Sequence, residues 1–188
     1  MKTLFIDTHS HNLSIAILDN KKICKIEKKE TINHSEVVIP AIQTVLKDAN
    51  CNVEDINEIV VINGPGSFTG VRIGVTIAKT IAYSLNIPIK TITSLEAYGL
   101  SVTKDFDIIT ISDSKGKYSA LKKEKKFIDF SYRKNLEFEK YLKEYNYTSI
   151  ETEKLDYKKI YAYLQNKSPI NPHQVNPIYI KEIDALKW

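Results

Sequence analysis

The 188-residue chain has few of the residues from which covalent or metal-based scaffolds are built. It contains two cysteines, Cys24 and Cys51, whose spacing matches neither a disulfide framework nor a zinc site. We therefore expect two reduced thiols, as in cytoplasmic proteins. No apolar run approaches the length of a membrane span, and Asp7 ends the first one too early for a signal peptide. The sequence thus predicts a cytoplasmic protein without membrane contact.

The chain also lacks a large excess of charge of either sign. The 27 Lys and Arg residues are offset by 23 Asp and Glu residues, and the formal net charge is +4. That bias is too weak to indicate nucleic-acid binding by itself. The length is sufficient for one domain, or for one and a half, with a sizeable core.

The most distinctive stretch is a glycine-proline turn between a strand and a helix. The β-branched residues 59–62 predict a buried strand, and the turn 63–70 leads into a long helix. Such a junction presents free backbone N–H groups that can hold a phosphate. The turn lacks the Gly-Lys-Ser/Thr of a Walker A loop and is one residue longer than the dinucleotide fingerprint. The competing interpretation is a structural turn, in which Gly64 and Gly66 adopt unusual φ angles and Ser67 caps the helix.

Small residues recur every four positions in the helix that follows and form one stripe on its surface. Glycine inside a helix costs about 1 kcal/mol relative to alanine, so the stripe needs a compensating close contact. Isoleucines and valines occupy other faces, so this helix has more apolar surface than one sheet-facing stripe requires. Either it is fully buried within one core, or a partner helix lies on its small-residue face. The stripe consists of Gly70, Gly74, Ala78 and Ala82.

Polar residues cluster at the end of the first predicted strand, Thr3–Asp7. Asp7, Thr8 and Ser10 provide a carboxylate and hydroxyls that could orient a phosphate or a magnesium ion. The alternative is a polar turn whose side chains bond their own backbone. His9 and His11 lie two residues apart, but a metal site would need a third ligand that the sequence does not place nearby.

A second helix is predicted from about Ser35 to Ala49, with Pro40 about one turn inside it. Its apolar positions cover two faces, so one face can pack on a sheet while the other meets the 68–85 helix or another protein. His34, at its start, is a candidate ligand or base, although a histidine near a helix cap more often has a structural role.

The first half is predicted to contain three strands, a helix, a strand, a helix and another short strand at 87–93. This is the order of the ribonuclease H-like lobe of the actin and sugar-kinase superfamily. We therefore expect an α/β, ribonuclease H-like or actin-like ATPase (ASKHA) fold, with mixed β-sheets flanked by helices. An N-terminal lobe over residues 1–100 would be followed by a smaller, reduced lobe over residues 101–188. The second lobe is predicted to contain strands at 106–112, 116–122 and 126–132 and helices at 135–145 and 157–165.

Four segments taken together resemble the bacterial TsaB family, also called YeaZ. The glycine block is the most specific of them, and looser similarity continues at 113–118 and 177–181. About the first 120 residues match well, whereas between 121 and 172 the similarity is one of length and pattern. The four segments are residues 4–8, 34–36 together with Pro40, 64–74 and 94–97.

The resemblance implies a non-catalytic scaffold subunit of the complex that adds threonylcarbamoyl to adenosine 37 of tRNAs reading codons that begin with adenine. It implies a TsaD-like catalytic partner, a TsaE-like ATPase and an upstream TsaC-like threonylcarbamoyl-AMP synthase. The chain would contact tRNA through the complex and form a homodimer when alone. It implies no catalytic residue, metal or cofactor of its own, with ATP and Mg²⁺ used by the complex.

The resemblance also implies a partner interface on the two helices. Its predicted residues are His34, Val38, Ile42, Val45, Gly70, Arg72, Ile73, Gly74, Ile77, Ala78 and Ile81. If the small-residue stripe is part of it, Gly74→Leu should leave the fold intact and weaken association. The candidates for nucleotide binding are Asp7, Thr8, Gly64, Gly66 and Ser67.

Other functions remain as alternatives. An ASKHA-type ATP-dependent phosphotransferase would use Asp7 and the 64–67 turn around ATP and magnesium, but it needs a second full lobe and a catalytic base. A metal-dependent nuclease would need carboxylates converging beside Asp7, for which Glu36, Glu58 and Asp113 are available. A peptidase would need metal ligands or a nucleophile-base pair, which the sequence does not provide.

Overall fold

The computed structural model describes residues 1–19, 22–28, 33–124 and 126–181. Within these residues two mixed β-sheets are flanked by helices. This architecture confirms the predicted α/β, ribonuclease H-like fold. Residues 182–188, the end of the predicted second lobe, lie outside the described residues, and the lobe limits 1–100 and 101–188 stay a prediction.

The first sheet is built from the first half of the chain. Its strands are β1 (Lys2–Asp7), β2 (Leu13–Asp19), β3 (Lys22–Lys28), β4 (Ile56–Ile62) and β5 (Ile89–Ile92). They are arranged in the order β3-β2-β1-β4-β5, with β1 antiparallel to β2 and parallel to β4. Phe5 pairs with Ala16 on one side and with Val60 on the other. Because β1, β4 and β5 are parallel, their carboxyl ends open toward the same edge of the sheet.

Two long helices cover one face of this sheet. The helices of the first half are α1 (His34–Asp48), α2 (Phe68–Leu85) and α3 (Ser94–Ser101), and a short 3₁₀ turn spans Val53–Asp55. Helices α1 and α2 enclose the main hydrophobic core, in which Leu4, Ile15 and Ile59 are fully buried. The bounds of α1 and α2 agree with the predicted ones to within about a residue.

Helix α3 was not predicted, although its capping box is visible in the sequence. The Thr93 hydroxyl accepts a hydrogen bond from the Glu96 backbone N–H at 3.1 Å, and the Glu96 carboxylate accepts one from the Thr93 N–H at 2.9 Å. This reciprocal pair satisfies two N–H groups at the helix start.

The second sheet follows in the chain. Its strands are β6 (Ile108–Asp113), β7 (Gly116–Lys123), β8 (Lys126–Lys134) and β9 (Ser149–Glu151), in the order β8-β7-β6-β9. Two helices, α4 (Asn135–Tyr145) and α5 (Tyr157–Leu164), and a 3₁₀ turn at Pro172–Gln174 complete the described elements. The three predicted strands and both predicted helices are confirmed. Strand β9 was not predicted, because three residues are too few to show an alternating pattern.

Helix α5 returns from the second half to cover the other face of the first sheet. Its residues Tyr157, Ile160 and Leu164 are buried in a cluster with Phe5 and Val60. The Phe5 and Tyr157 rings meet edge to face with their centroids 5.2 Å apart. The first sheet therefore has apolar side chains packed on both of its faces.

The small-residue stripe on α2 faces the end of β1. All four of its residues are buried, and the Thr8 hydroxyl donates a hydrogen bond to the Gly70 carbonyl at 2.7 Å. A Cβ added at Gly70 would overlap the Thr8 carbonyl oxygen, and one added at Gly74 would overlap the Thr8 hydroxyl. The prediction that Gly70, Gly74 and Ala78 contact a partner is therefore wrong. Gly74→Leu should disturb the fold itself.

We expect Gly70→Ala to destabilise the protein by about 1–3 kcal/mol, because the added methyl group forces α2 away from β1. At an open helical position the same change would stabilise by about 1 kcal/mol. Urea unfolding gives the free energy of unfolding, and Thr76→Ala, at an exposed position of the same helix, is the control. A Gly70→Ala protein as stable as that control would contradict the close contact.

Candidate functional site

A cleft of about 530 Å³ lies between the ends of the two sheets, and we call it the interlobe cleft. One wall is formed by residues 9–11, after β1, and by the turn 65–68 that begins α2. The facing wall comes from residues 111–113 of β6 and from Tyr118. Residues 178–181 close one side. The cleft lies at the carboxyl ends of β1 and β4, where open α/β sheets usually bind ligands.

Asp7 and His9 form a buried pair at the end of β1. The Asp7 carboxylate accepts hydrogen bonds from the His9 backbone N–H at 3.0 Å and from the His9 ring Nδ1 at 2.6 Å. Because an ionised carboxylate can only accept, the ring proton lies on Nδ1. In the neutral ring the opposite nitrogen, Nε2, then carries a lone pair.

The glycine-proline turn is held against the same loop. The Ser67 N–H donates to the His9 carbonyl at 2.6 Å, and the Ser67 hydroxyl accepts from the Gly70 N–H at 3.2 Å. The predicted capping role of Ser67 is therefore confirmed. Gly64 has the predicted positive φ, 103°. Gly66 does not, and it is needed for another reason, since a Cβ there would overlap the His9 carbonyl oxygen.

Only two of the five predicted nucleotide-binding residues line the cleft. Gly66 and Ser67 line it. Asp7, Thr8 and Gly64 are buried and do not line it. A Cβ on Gly64 would stand 2.7 Å from the Ile178 carbonyl oxygen, and the other two are bonded within the chain. Their assignment as ligands to a molecule in the cleft is corrected.

Residues 176–181 cross the turn and join the two lobes, and we call them the C-terminal strap. The Ile178 N–H donates to the Asn63 carbonyl at 2.7 Å. Arg72 stacks on the Phe68 ring at 3.8 Å and donates through Nε to the Tyr179 hydroxyl at 2.7 Å. Arg72, predicted as a partner contact, is exposed but already engaged by the strap.

Lys181 attaches the strap to the second sheet. Its ammonium group donates to the Asp113 carboxylate at 2.7 Å, and the Tyr132 hydroxyl donates to the same carboxylate at 2.9 Å. Burial favours the neutral acid, but these hydrogen bonds outweigh it and hold the pKa of Asp113 below its ordinary value. The ionised Asp113 therefore stabilises the strap.

Because the pKa of Asp113 is lower in the folded protein than in the unfolded chain, its ionised carboxylate stabilises the fold at pH values above the ordinary pKa of about 4. This stabilisation is lost as the pH falls through the lower pKa of the folded protein. Because the pair is partly exposed, we expect a loss of about 0.5–1 kcal/mol. The free energy of unfolding by urea should fall less on acidification in Asp113→Asn than in the unchanged protein. Equal losses in the two proteins would contradict the assignment.

Several predicted interface residues belong to the core. Val38, Ile42 and Val45 of α1 are buried against the first sheet. His34 is buried too, and its Nε2 lies 2.7 Å from the Ser10 carbonyl oxygen, which ties α1 to the loop after β1. The prediction that His34, Val38 and Val45 contact a partner is corrected, because their side chains face inward. For Ile42, which lines an outer groove together with Ile39, it stays a prediction.

An outer apolar strip remains on the two helices, and we call it the isoleucine face. Ile73, Ile77 and Ile81 of α2 lie in one row at four-residue spacing and are half-buried. Ile39 of α1, which the predicted interface omitted, is 44% exposed. Its place about 100° around the helix from the inward-facing Val38 is the signal that could have identified it. A groove of about 710 Å³ beside the strip is lined in part by Ile39 and Ile81.

The carboxylates that a nuclease would require do not converge on Asp7. Glu58 forms a buried ion pair with Lys90 at 2.9 Å, Glu36 is bonded to Asn33, and Asp113 is held by Lys181. Within the described chain, no three His, Cys, Asp or Glu residues are grouped so as to hold a metal ion.

Cys24 and Cys51 are free thiols, and burial raises the pKa of Cys51. Across the described ranges, no helix is both long and apolar enough to cross a membrane.

Comparison with known proteins shows similarity over about the first half of the chain. The family model "TsaD: tRNA N6-adenosine threonylcarbamoyltransferase" matches residues 27–111. The tRNA threonylcarbamoyladenosine biosynthesis protein TsaB of Bacillus subtilis (strain 168) is 46% identical over 97 residues, which are 51% of this chain and 42% of that protein. The protein of the same name from Escherichia coli (strain K12) is 32% identical over 95 residues, 50% of this chain and 41% of that protein.

A solved structure shares the fold over almost the whole chain. The structure of YeaZ from Pseudomonas aeruginosa superposes with a TM-score of 0.74 at 15% identity, covering 95% of this chain and 99% of the other. By sequence, the chain spans less than half the length of these two curated relatives. The predicted resemblance is confirmed, most strongly in the first half.

Proposed function

From its similarity to TsaB proteins we propose that the chain is a member of the TsaB (YeaZ) family and a non-catalytic subunit in the biosynthesis of threonylcarbamoyladenosine in tRNA. In this role it binds and supports a TsaD-like catalytic subunit, which adds the threonylcarbamoyl group to adenosine 37. A TsaE-like ATPase and an upstream TsaC-like synthase act with them in the cytoplasm. The complex contacts tRNA and uses ATP and Mg²⁺.

The isoleucine face is the single observation that carries this proposal. Ile73, Ile77 and Ile81 form a continuous apolar row on α2, and Ile39 extends it onto α1. The row is packed from below by the core, so it is a fixed surface and not a set of loose side chains. A contiguous apolar strip on a rigid pair of helices is typical of a protein interface.

The nature of the partner follows from the similarity to TsaD. The matched TsaD model covers residues 27–111, which include both helices that present the isoleucine face. A TsaD-like protein is therefore expected to carry a related pair of helices. Related surfaces can pair about a pseudo-twofold axis, as identical ones do in isologous dimers. For the same reason the face would form a homodimer when the partner is absent.

The site at the end of β1 supports a binding role over a phosphotransferase role. The Asp7 carboxylate, which a kinase-type mechanism would aim at magnesium, is buried and accepts two hydrogen bonds from His9. Thr8 is buried and bonded to α2. Both side chains are used to hold the first lobe together.

We expect Ile77→Asp to weaken binding of the TsaD-like protein of the same organism by about 30-fold or more, since a charge in an apolar interface cannot be solvated. Isothermal titration calorimetry measures the affinity. Leu136→Asp is the matched control, because Leu136 is 74% exposed on α4 in the second half of the chain. Ile77→Asp should also convert a homodimer of the isolated chain into a monomer in light scattering.

Binding that Ile77→Asp leaves unchanged, or that both variants weaken equally, would contradict the proposed interface. ATP turnover by the isolated chain, with no affinity for the TsaD-like protein, would instead favour the phosphotransferase alternative.

A further inference from the structure

Two aromatic rings hold an arginine in a fixed position beside the isoleucine face. The Arg72 guanidinium carbon lies 3.8 Å from the centroid of the Phe68 ring, one turn earlier on α2. The Tyr179 ring of the C-terminal strap lies 5.3 Å from the Phe68 ring, centroid to centroid, and its hydroxyl accepts a hydrogen bond from Arg72 Nε at 2.7 Å. We call these three residues the arginine clamp. Its contacts fix the plane of the guanidinium group.

The charge of the clamped arginine is not neutralised within the described chain. Arg72 forms no ion pair with any residue that the structure describes. Of its nitrogens, only Nε is hydrogen-bonded to one of these residues. The terminal nitrogens Nη1 and Nη2 therefore keep their N–H groups available, and the side chain is exposed. Such a planar fork of donors matches the two oxygens of one carboxylate.

The other arginine of the chain shows what Arg72 lacks. The chain has only two arginines among its 27 Lys and Arg residues. Arg133 stacks on the Tyr141 ring, also at 3.8 Å, but it forms an ion pair with Asp129 at 3.4 Å as well. Because the plane of Arg72 is already fixed by its clamp, a carboxylate arriving from another molecule would bind it at low cost in side-chain entropy.

The arginine clamp and the isoleucine face form one continuous surface. Successive residues of a helix are about 100° apart, so Arg72 lies beside the row that begins at Ile73. Phe68 and Tyr179 each leave 41% of their surface exposed. Arginine and exposed aromatic rings are enriched among the residues that dominate the binding energy of protein interfaces.

A protein suits this surface better than a nucleic acid does. Binding to a phosphate backbone needs a patch of several cations. Lys181, the only cation of the strap, is paired with Asp113, and Lys79 of α2 donates a hydrogen bond to the His173 carbonyl. The clamp therefore presents one isolated positive charge at the margin of an apolar row.

We propose that the arginine clamp determines the specificity of the isoleucine face, and that Arg72 binds the carboxylate of an aspartate or glutamate on the TsaD-like subunit. This inference rests on the proposed function, because the clamp is the margin of the same interface. The apolar row provides the buried area, and the clamp selects a partner with an acidic side chain at the facing position. A partner without one would bury Arg72 with its charge uncompensated.

Calorimetric titration with the TsaD-like protein of the same organism tests the clamp. We expect Arg72→Gln, which removes the charge, to weaken binding about tenfold or more. Arg72→Lys keeps the charge but loses the planar fork, so it should weaken binding by about threefold. Arg133→Gln is the matched control, because it removes the other ring-stacked arginine, and it should bind as the unchanged protein does. Urea unfolding checks that Arg72→Gln remains folded.

Two further readouts separate a charge contact from a structural role. Raising the NaCl concentration from about 0.05 M to about 0.5 M should weaken binding of the unchanged protein more than binding of Arg72→Gln. Arg72→Glu should bind more weakly than Arg72→Gln. When exposed acidic residues of the partner are replaced one at a time by lysine, one variant should bind Arg72→Glu about tenfold more tightly than the unchanged partner does.

Arg72→Gln that binds as tightly as the unchanged protein, in a titration in which Ile77→Asp weakens binding, would overturn the clamp and leave the proposed function standing. If the unchanged protein does not bind the TsaD-like protein, both fail. Arg72→Gln might leave that affinity unaltered and instead abolish the homodimer, or abolish retention of tRNA by the isolated chain. Either result would assign the clamp to a second copy or to a phosphate and would overturn the proposal.

Discussion

The close approach of α2 to the end of β1 is the constraint on which the rest of the structure depends. Gly70 and Gly74 have no side chains there, so the Thr8 hydroxyl and carbonyl can lie directly against the helix. That contact fixes where α2 begins, and Ser67 then bonds the His9 carbonyl. A methyl group added at Gly70 or Gly74 would displace the helix, the turn and the loop after β1 together.

The contact with β1 also determines which side of α2 faces outward. Because the small residues face β1, the row of isoleucines on the helix is left facing outward, where it is supported by the core and half exposed. The start of the helix, meanwhile, opens into the interlobe cleft. One helix therefore presents an apolar surface along its length and a polar N-terminus to the cleft.

The sequence predicted the fold well, because strong local patterns specify it. β-branched runs identified the strands, and four-residue spacing identified α1 and α2. The capping role of Ser67 also followed from its position. The elements that were missed are short: α3 was marked only by the Thr93 and Glu96 capping box, and β9 has three residues.

The candidate site was less predictable, because its geometry depends on contacts between distant segments. Four-residue spacing shows that Gly70 and Gly74 share a face, but it cannot show whether that face meets Thr8 or another protein. The hydrogen bond from the Ser67 N–H to the His9 carbonyl and the crossing of the turn by the C-terminal strap likewise join segments that no local pattern connects. The apolar positions of α1 cover two faces, and this pattern could have shown that Ile39 lies on the outer one. The predicted interface did not include it.

Binding of a TsaD-like subunit to the isoleucine face is tested most directly by hydrogen-deuterium exchange of this chain with and without that partner. If the face is the interface, exchange should slow in α1 and α2, with β8 and α4 unchanged. Slower exchange confined to the second sheet and α4, with α1 and α2 unaffected at saturating partner, would contradict it.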